Sequence, residues 1–214
     1  TIDPNKLQSA KTKKTKAVVV VHIYGQPADL SPILNFFKKK KIYLIEDASQ
    51  AHGAMYKRKK VGSIGDIGCF SCYPTKNLGA IGDAGVITTN KKYLINKMQM
   101  ISQYGWKNRN SFVYGKNSRL DELQASILLT KLKKLDQNNN KRVKIAKYYL
   151  KNINNKNIIL PKLSNNSFSV FHLFVIKTNY RKKLIKFLKK NKNIILVGMG
   201  GSILGAKAIY SFLK

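Results

Sequence analysis

The stretch EDASQAHGAMYKRKKVGSIGDIGCFSCYPTKNLGAIGDAG (46–85) decides how the chain is read. It is entered through IYLIED (42–47), an apolar, β-prone run that ends on two acids. Such a run predicts a buried strand that delivers Glu46 and Asp47 at its carboxyl end. In open α/β sheets that end is where ligands sit. A second apolar run, IGCFSC (67–72), leads into YPTKNLGAIGDAG, where Lys76 stands among Pro74, Gly79, Gly82 and Gly85. Turn formers on both sides predict a lysine held on a tight loop rather than on a free helix.

An acid at a strand end and a lysine on a nearby rigid loop suit one cofactor chemistry. Pyridoxal 5′-phosphate (PLP) bonds a lysine as a Schiff base, and a carboxylate keeps its pyridine nitrogen protonated. The lysine then serves as the base that moves the substrate proton. Asp47 and Lys76 suit those roles, although an arbitrary Asp and Lys at this spacing are more often a turn cap and a surface lysine.

Working outward, AVVVVHIYG (17–25) predicts a buried parallel-type strand. PADLSPILNFFKKK (27–40) predicts a helix with Leu30, Ile33, Leu34 and Phe37 on one face. With the strand at 42–47 this is a βαβ unit, hence a parallel sheet with a right-handed crossover. Pro4 at a first helical position, behind Asp3, predicts a short helix over 4–10. Gly62 to Gly68 read as a loop in which Asp66 bonds backbone amides, and GVITTN (85–90) as a strand whose Asn90 caps a helix over 91–102. QYGWKNRNSFVYGKNSR (103–119) has no periodicity and reads as a long loop. LDELQASILLTKLKKLD (120–136) is an amphipathic helix, with Leu120, Leu123, Ile127, Leu128, Leu132 and Leu135 on one face. A second helix is predicted over 137–153, a strand over 169–177 and a helix over 180–191.

The 41 basic against 9 acidic residues give a net charge of +32. Such a balance ordinarily points to nucleic acid, but the lysines are scattered through every predicted helix and no aromatic-interleaved basic platform stands out. A Lys/Asn/Ile-biased composition accounts for the charge, and a basic protein also attracts anionic substrates. Seven of the acids, Asp29, Glu46, Asp47, Asp66, Asp83, Asp121 and Glu122, fall inside the motif blocks quoted below. That clustering predicts specific jobs. Cys69 and Cys72 form a C-x-x-C within a predicted strand, so their side chains point to opposite faces and read as structural thiols of a reducing compartment. No signal peptide is evident, and no apolar run reaches the ~18 residues of a membrane span. A cytoplasmic chain without a membrane or nucleic-acid partner is expected.

VHIYGQPADL (21–30), EDASQAHGA (46–54), VGSIGDIGCFSCYPTKNLGAIGDAG (61–85) and YGKNSRLDELQASIL (114–128) together resemble the DegT/DnrJ/EryC1/StrS family, from about residue 1 to about residue 190. Cys72, where an aromatic residue is usual, and Ala84, where glycine is common, are departures that remove no chemical group. The resemblance implies an α/β, fold-type I PLP-transferase large domain with a mostly parallel sheet between helices, truncated at its N-terminus and followed by part of a small C-terminal α/β domain. The large domain is expected over 1–136, and the long helix with the start of the small domain over 137–192.

The resemblance also implies the chemistry: transfer of an amino group from an amino acid such as L-glutamate to a nucleotide-linked keto-deoxysugar. Lys76 would hold PLP and shuttle the proton, Asp47 pair with the pyridine nitrogen, Gln50 contact the ring near its hydroxyl, and Ser71 bind the phosphate. Asn117 would reach the cofactor phosphate of a neighbouring subunit, so a homodimer with a shared active site is implied. Arg119 would meet a substrate carboxylate or phosphate, or form a structural ion pair. His22 and Tyr24, at a strand end, line the sugar pocket or simply pack. His52 reads as a packing or hydrogen-bonding residue. The portion that supplies a Gly–Ser/Thr phosphate turn and a stacking residue is expected to be missing, which leaves an inactive remnant as the alternative. A basic nucleic-acid binder is the remaining reading. Finally, NIILVGMGGSILGAKAIYSFLK (193–214) reads as strand, glycine turn and helix, and is similar to the start of a glucose-6-phosphate isomerase-type domain. It is expected to be either a foreign segment or a divergent strand–turn–helix of the small domain.

Overall fold

The computed structural model describes residues 1–38 and 41–190. The predicted βαβ unit is present. Strand β1 (Ala17–Val21) is preceded by the short helix α1 (Leu7–Ala10) and followed by α2 (Leu30–Phe37) and β2 (Tyr43–Asp47). Asp3 accepts the Asn5 backbone N–H at 3.0 Å and so caps the turn that opens α1. β1 and β2 pair in parallel, Val21 opposite Asp47. The predicted strand over 17–25 stops at Val21, because Tyr24 adopts φ 61° in the tight turn Ile23–Gly25.

β2 leads through a small hairpin, β3 (Met55–Tyr56) and β4 (Lys59–Lys60), to β5 (Ile67–Ser71), which pairs in parallel with β2. The lysine loop follows, and β6 (Gly85–Thr88) returns antiparallel to β5. The main sheet therefore runs β1-β2-β5-β6, parallel except at β6. The chain is α/β with a mixed sheet. Leu30, Ile33 and Phe37 of α2 pack with Val20, Leu44 and Ala48 in the main core. Leu34, expected on that face, is 37% exposed.

α3 (Lys92–Ser102) starts without the predicted Asn90 cap. Thr89 Oγ1 accepts the Lys91 N–H, and Asn90 donates its side-chain amide to the Ser63 carbonyl instead. The loop after α3 contains a two-stranded hairpin, β7 (Trp106–Lys107) and β8 (Asn110–Ser111). The helix predicted over 120–136 is α4 (Glu122–Leu132), and the chain re-initiates at Leu135 as α5 (Leu135–Asn152). Leu128 and Leu135 are buried, whereas Leu123 and Leu132 stay exposed.

Residues 169–177 do not form the predicted strand. β9 is Ser167–Phe168, which joins β3 and β4 in a three-stranded sheet. Beyond it the backbone makes separate bonds, Val170 N–H to the Gly25 carbonyl at 3.0 Å and Leu173 N–H to the Tyr24 carbonyl at 3.3 Å, and then one isolated bridge between Lys177 and Ile159. Gly25 has φ +87°, and a Cβ there would meet the His172 backbone nitrogen at 2.8 Å, so this crossing requires glycine. α6 (Arg181–Lys190) closes the described chain. The segment 193–214 lies outside the described residues. Among them, no helix is long and apolar enough to cross a membrane.

Candidate active site

Glu46 and Asp47 are consecutive on β2, so their side chains leave on opposite sides of the strand. Glu46 is fully buried. Its oxygens accept the backbone N–H groups of Gly62, Ile64 and Gly65 at 2.6–2.8 Å, and it meets His22 Nε2 at 3.0 Å. Burial works to raise its pKa, but the His22 bond and the three amides outweigh that and hold it below the ordinary carboxylate value. Glu46 is thus the tie that fixes the 62–65 loop. Asp66 assists by accepting the Leu44 N–H at 2.6 Å and pairing with Lys91.

Asp47 ends β2 beside Cys69 of β5 and accepts the Ser49 N–H at 3.0 Å. Its carboxylate, after burial itself, raises the Cys69 thiol. Ser71 closes β5 at the same carboxyl edge of the sheet, two residues beyond the partner of Asp47. Gln50 accepts the Tyr24 N–H at 2.7 Å, which sets the turn after β1 against the loop after β2. The edge formed by the ends of β1, β2 and β5 therefore gathers Tyr24, Asp47, Gln50 and Ser71, and the chain continues from Ser71 into the lysine loop.

That loop is held on several sides. The Lys76 N–H closes a turn on the Tyr73 carbonyl at 2.9 Å, and the Ala80 N–H returns to the Cys72 carbonyl at 2.8 Å. Asn77 donates to Asn139 Oδ1 at 2.9 Å and to the Val170 carbonyl at 3.3 Å. Its own oxygen lies 3.0 Å from His172 Nδ1. Asn139, buried on α5, donates to the His52 carbonyl at 2.8 Å. His52 is buried against Phe70, with no hydrogen-bond partner on either ring nitrogen among the described residues. Burial first, then His172 and Lys76, bring His52 down to about 4; the Ser71 backbone pulls weakly the other way, its geometry short of a hydrogen bond. His172 falls to about 4 as well, through burial and the positive fields of Lys76 and Arg142. Both imidazoles near Lys76 are neutral at pH 7.

The expected residues divide accordingly. Asp47, Gln50 and Ser71 come together at the sheet edge that feeds the Lys76 loop, and Tyr24 joins them, 38% exposed. His22 requires a correction as a pocket-lining residue. It is fully buried, with Nε2 on Glu46 and Nδ1 accepting the Ala28 N–H at 3.1 Å, so both nitrogens serve the core. Asn117 and Arg119 are exposed and bonded to each other, Arg119 Nε to Asn117 Oδ1 at 3.0 Å. The segment that carries them is fastened to the end of α3 by a Gln103–Asn117 bridge.

Sequence reasoning missed Asn77, Asn139 and His172. A signal existed for two of them: Asn77 follows the lysine directly, and His172 is one of three histidines in the chain. Asn139 lies in a polar run of α5 that conceals its burial.

The donor set fits a phosphorylated pyridine aldehyde. It offers an amine for the aldehyde, a carboxylate for the ring nitrogen, a hydroxyl at the strand end for the phosphate, and neutral rather than cationic rings around the amine.

The DegT/DnrJ/EryC1/StrS aminotransferase family profile matches residues 1–197. The isomerase-like reading of 193–214 is therefore not borne out, since the family match continues through its first residues. A dTDP-3-amino-3,6-dideoxy-alpha-D-galactopyranose transaminase from Aneurinibacillus thermoaerophilus is 47% identical over 188 residues, covering 87% of this chain and 52% of its own length. A UDP-N-acetyl-3-dehydro-alpha-D-glucosamine 3-aminotransferase from Acidithiobacillus ferrooxidans is 40% identical over 82% of this chain and 48% of its own. Among solved structures, S. venezuelae DesV in complex with a ketimine intermediate superposes with a TM-score of 0.84 at 36% identity, over 88% of this chain and 52% of that one. NtdA from Bacillus subtilis, solved with the bound cofactor PMP, gives 0.78 at 36% identity, over 90% of this chain and 45% of that one. The chain thus spans about half the length of the curated relatives it matches.

Proposed function

The chain belongs to the DegT/DnrJ/EryC1/StrS aminotransferase family, and from that premise we propose that it is the lysine-bearing part of a PLP-dependent sugar nucleotide aminotransferase. The observation that carries the reading is the placement of Asp47 and Ser71 at the carboxyl ends of two adjacent parallel strands, the second of which feeds the Lys76 loop. Lys76 would hold the cofactor and Asp47 its ring nitrogen, with Gln50 at the ring and Ser71 at the phosphate. Bound there, PLP supplies an electron sink and carries the amino group between two substrates. Asp47 keeps the proton on the ring nitrogen. Lys76 Nζ takes and returns the proton of the reacting carbon. The neutral rings of His52 and His172 add no positive charge beside that amine.

The substrates proposed are an amino acid, L-glutamate foremost, and a nucleotide-linked keto-deoxysugar. Relatives named for 3-amino sugars at 47% and 40% identity support a 3-keto sugar. Exposed Asn117 supports a shared site in which it reaches the cofactor phosphate of a second copy, with Arg119 beside it for an anionic group. Tyr24 would flank the sugar. The division into a cofactor-binding part over 1–136 and the start of a smaller unit over 137–192 belongs to the same proposal, as does a cytoplasmic place in polysaccharide biosynthesis.

Borohydride reduction of the chain with PLP should fix a pyridoxyl mass on the peptide that contains Lys76, and Lys76→Ala should abolish it. Equal labelling of the variant would sink the assignment. Incubation with L-glutamate and a 3-keto nucleotide sugar tests the reaction itself: amino sugar product supports the transaminase, and its absence despite trapping of PLP would count against it.

A further inference from the structure

The lysine loop is joined to α5 and to the β9 segment by a chain of side-chain amides whose direction is determined by its ends. The His52 carbonyl can only accept, so Asn139 turns its NH2 toward it. Asn139 therefore presents oxygen to Asn77, and Asn77 must donate there. The Val170 carbonyl imposes the same orientation on Asn77 independently. The Asn77 oxygen is left facing His172 Nδ1 at 3.0 Å, and that nitrogen must carry the proton. Gly53 leaves room for the arrangement: it has φ +84°, and a Cβ would stand 2.7 Å from Asn139 Nδ2.

We propose that Asn77 and His172 are positioning residues for Lys76: the amide chain places the imidazole proton on Nδ1 and ties the residue next to the lysine to α5 and to the 167–172 segment. This rests on the reading of Lys76 as the cofactor lysine. The charged and titratable groups around the His172 ring are Lys76 from the loop, Arg142 from α5 and His52. A ring proton locked on Nδ1 leaves Nε2 as an acceptor in this positively charged surrounding, where a second donor would be unfavourable. A loop pinned on two sides holds its amine more narrowly than backbone turns alone.

The test uses the 15N-labelled chain without cofactor. Two-bond imidazole spectra should show His172 protonated on Nδ1 from about pH 5 to about pH 9. Asn77→Leu removes the acceptor and should move the ring proton to Nε2. It should also displace the Lys76 Nζ resonance, identified by its loss in Lys76→Arg, at a fixed pH. His172→Leu should displace that resonance too. His172→Asn, whose amide donates to Asn77 as the ring does, should restore it. An Nε2-protonated His172 in the unmodified chain would overturn the proposal. So would a Lys76 Nζ resonance unchanged in His172→Leu, which keeps the question decidable if Asn77→Leu does not fold. Failure of borohydride trapping in the unmodified chain would instead retire the cofactor assignment, and the cofactor-free spectra decide the positioning role in either case.

Discussion

Glu46 and Asp47 show how far one residue step separates two tasks. Glu46 is a buried carboxylate saturated by three backbone amides and His22; Asp47 ends β2 at the carboxyl edge of the sheet. Glu46→Gln turns one acceptor into a donor that meets other donors, so a loss of about 2–4 kcal/mol is expected in urea titrations. The pH dependence has a definite sign. Because Glu46 is held below its ordinary 4.5 in the fold, its contribution is complete above pH 4.5 and is lost as pH falls through the folded value. His52 and His172 act earlier. Their values drop from 6.5 to about 4, so between those limits the unfolded chain binds more protons and stability falls as pH falls. A decline of roughly 1–3 kcal/mol from pH 6.5 to 4 is expected for buried His52, less for the more exposed His172. Urea midpoints that stay flat over that range would contradict the burial of the rings. A Glu46→Gln chain that loses as much stability below pH 4.5 as the unmodified one would contradict the lowered Glu46 carboxyl.

At the scale of elements, what was legible depended on whether a segment's partners are local. The unit β1–α2–β2 could be read because a β-branched run, a helical face and a second apolar run each declare their own geometry. The break between α4 and α5 could not, since Lys133 and Lys134 carry no breaker chemistry. The stretch 169–177 looks like a strand by composition, but its backbone bonds the turn at Tyr24 and Gly25 rather than a neighbouring ladder. The candidate site divides in the same way. Asp47 and Ser71 could be placed at strand ends, and Lys76 on a turn-rich loop, because motif and strand end coincide. The burial of His22 was invisible because its partner Glu46 lies 24 residues away. The Asn77 relay depends on α5 lying against Gly53. That approach makes an element-scale prediction. Gly53→Ala places a Cβ against Asn139 Nδ2 in a left-handed backbone, so ~1–3 kcal/mol should be lost. The His172 Nδ1–H signal should broaden with it. A variant as stable as the parent would mean that α5 does not bear on the lysine loop.

For the whole molecule, the balance of 41 basic and 9 acidic residues becomes intelligible once the acids are located. Asp3 caps the first turn, Asp29 accepts the Tyr56 hydroxyl, Glu46 and Asp66 fix the 62–66 loop, and Asp136 meets Lys60. Few acids remain for diffuse surface work, and exposed Asn117 and Arg119 bond each other on a segment fastened to the end of α3. If a second copy receives Asn117, two defects in different chains must complement each other. Asn117→Ala retains Lys76 but deprives its partner of the phosphate ligand; Lys76→Ala retains Asn117 but cannot be labelled. Mixed and re-equilibrated, about half of the dimers are heterodimers, and each rebuilds one intact site, so about a quarter of the unmodified borohydride labelling should return at limiting PLP. The control is Asn117→Ala alone at the same cofactor concentration, which should label poorly. Recovery would identify the site as shared. A mixture that labels no better than the sum of its two components, although both variants exchange subunits, would confine the site to a single chain and leave Asn117 with the structural bond to Arg119 alone.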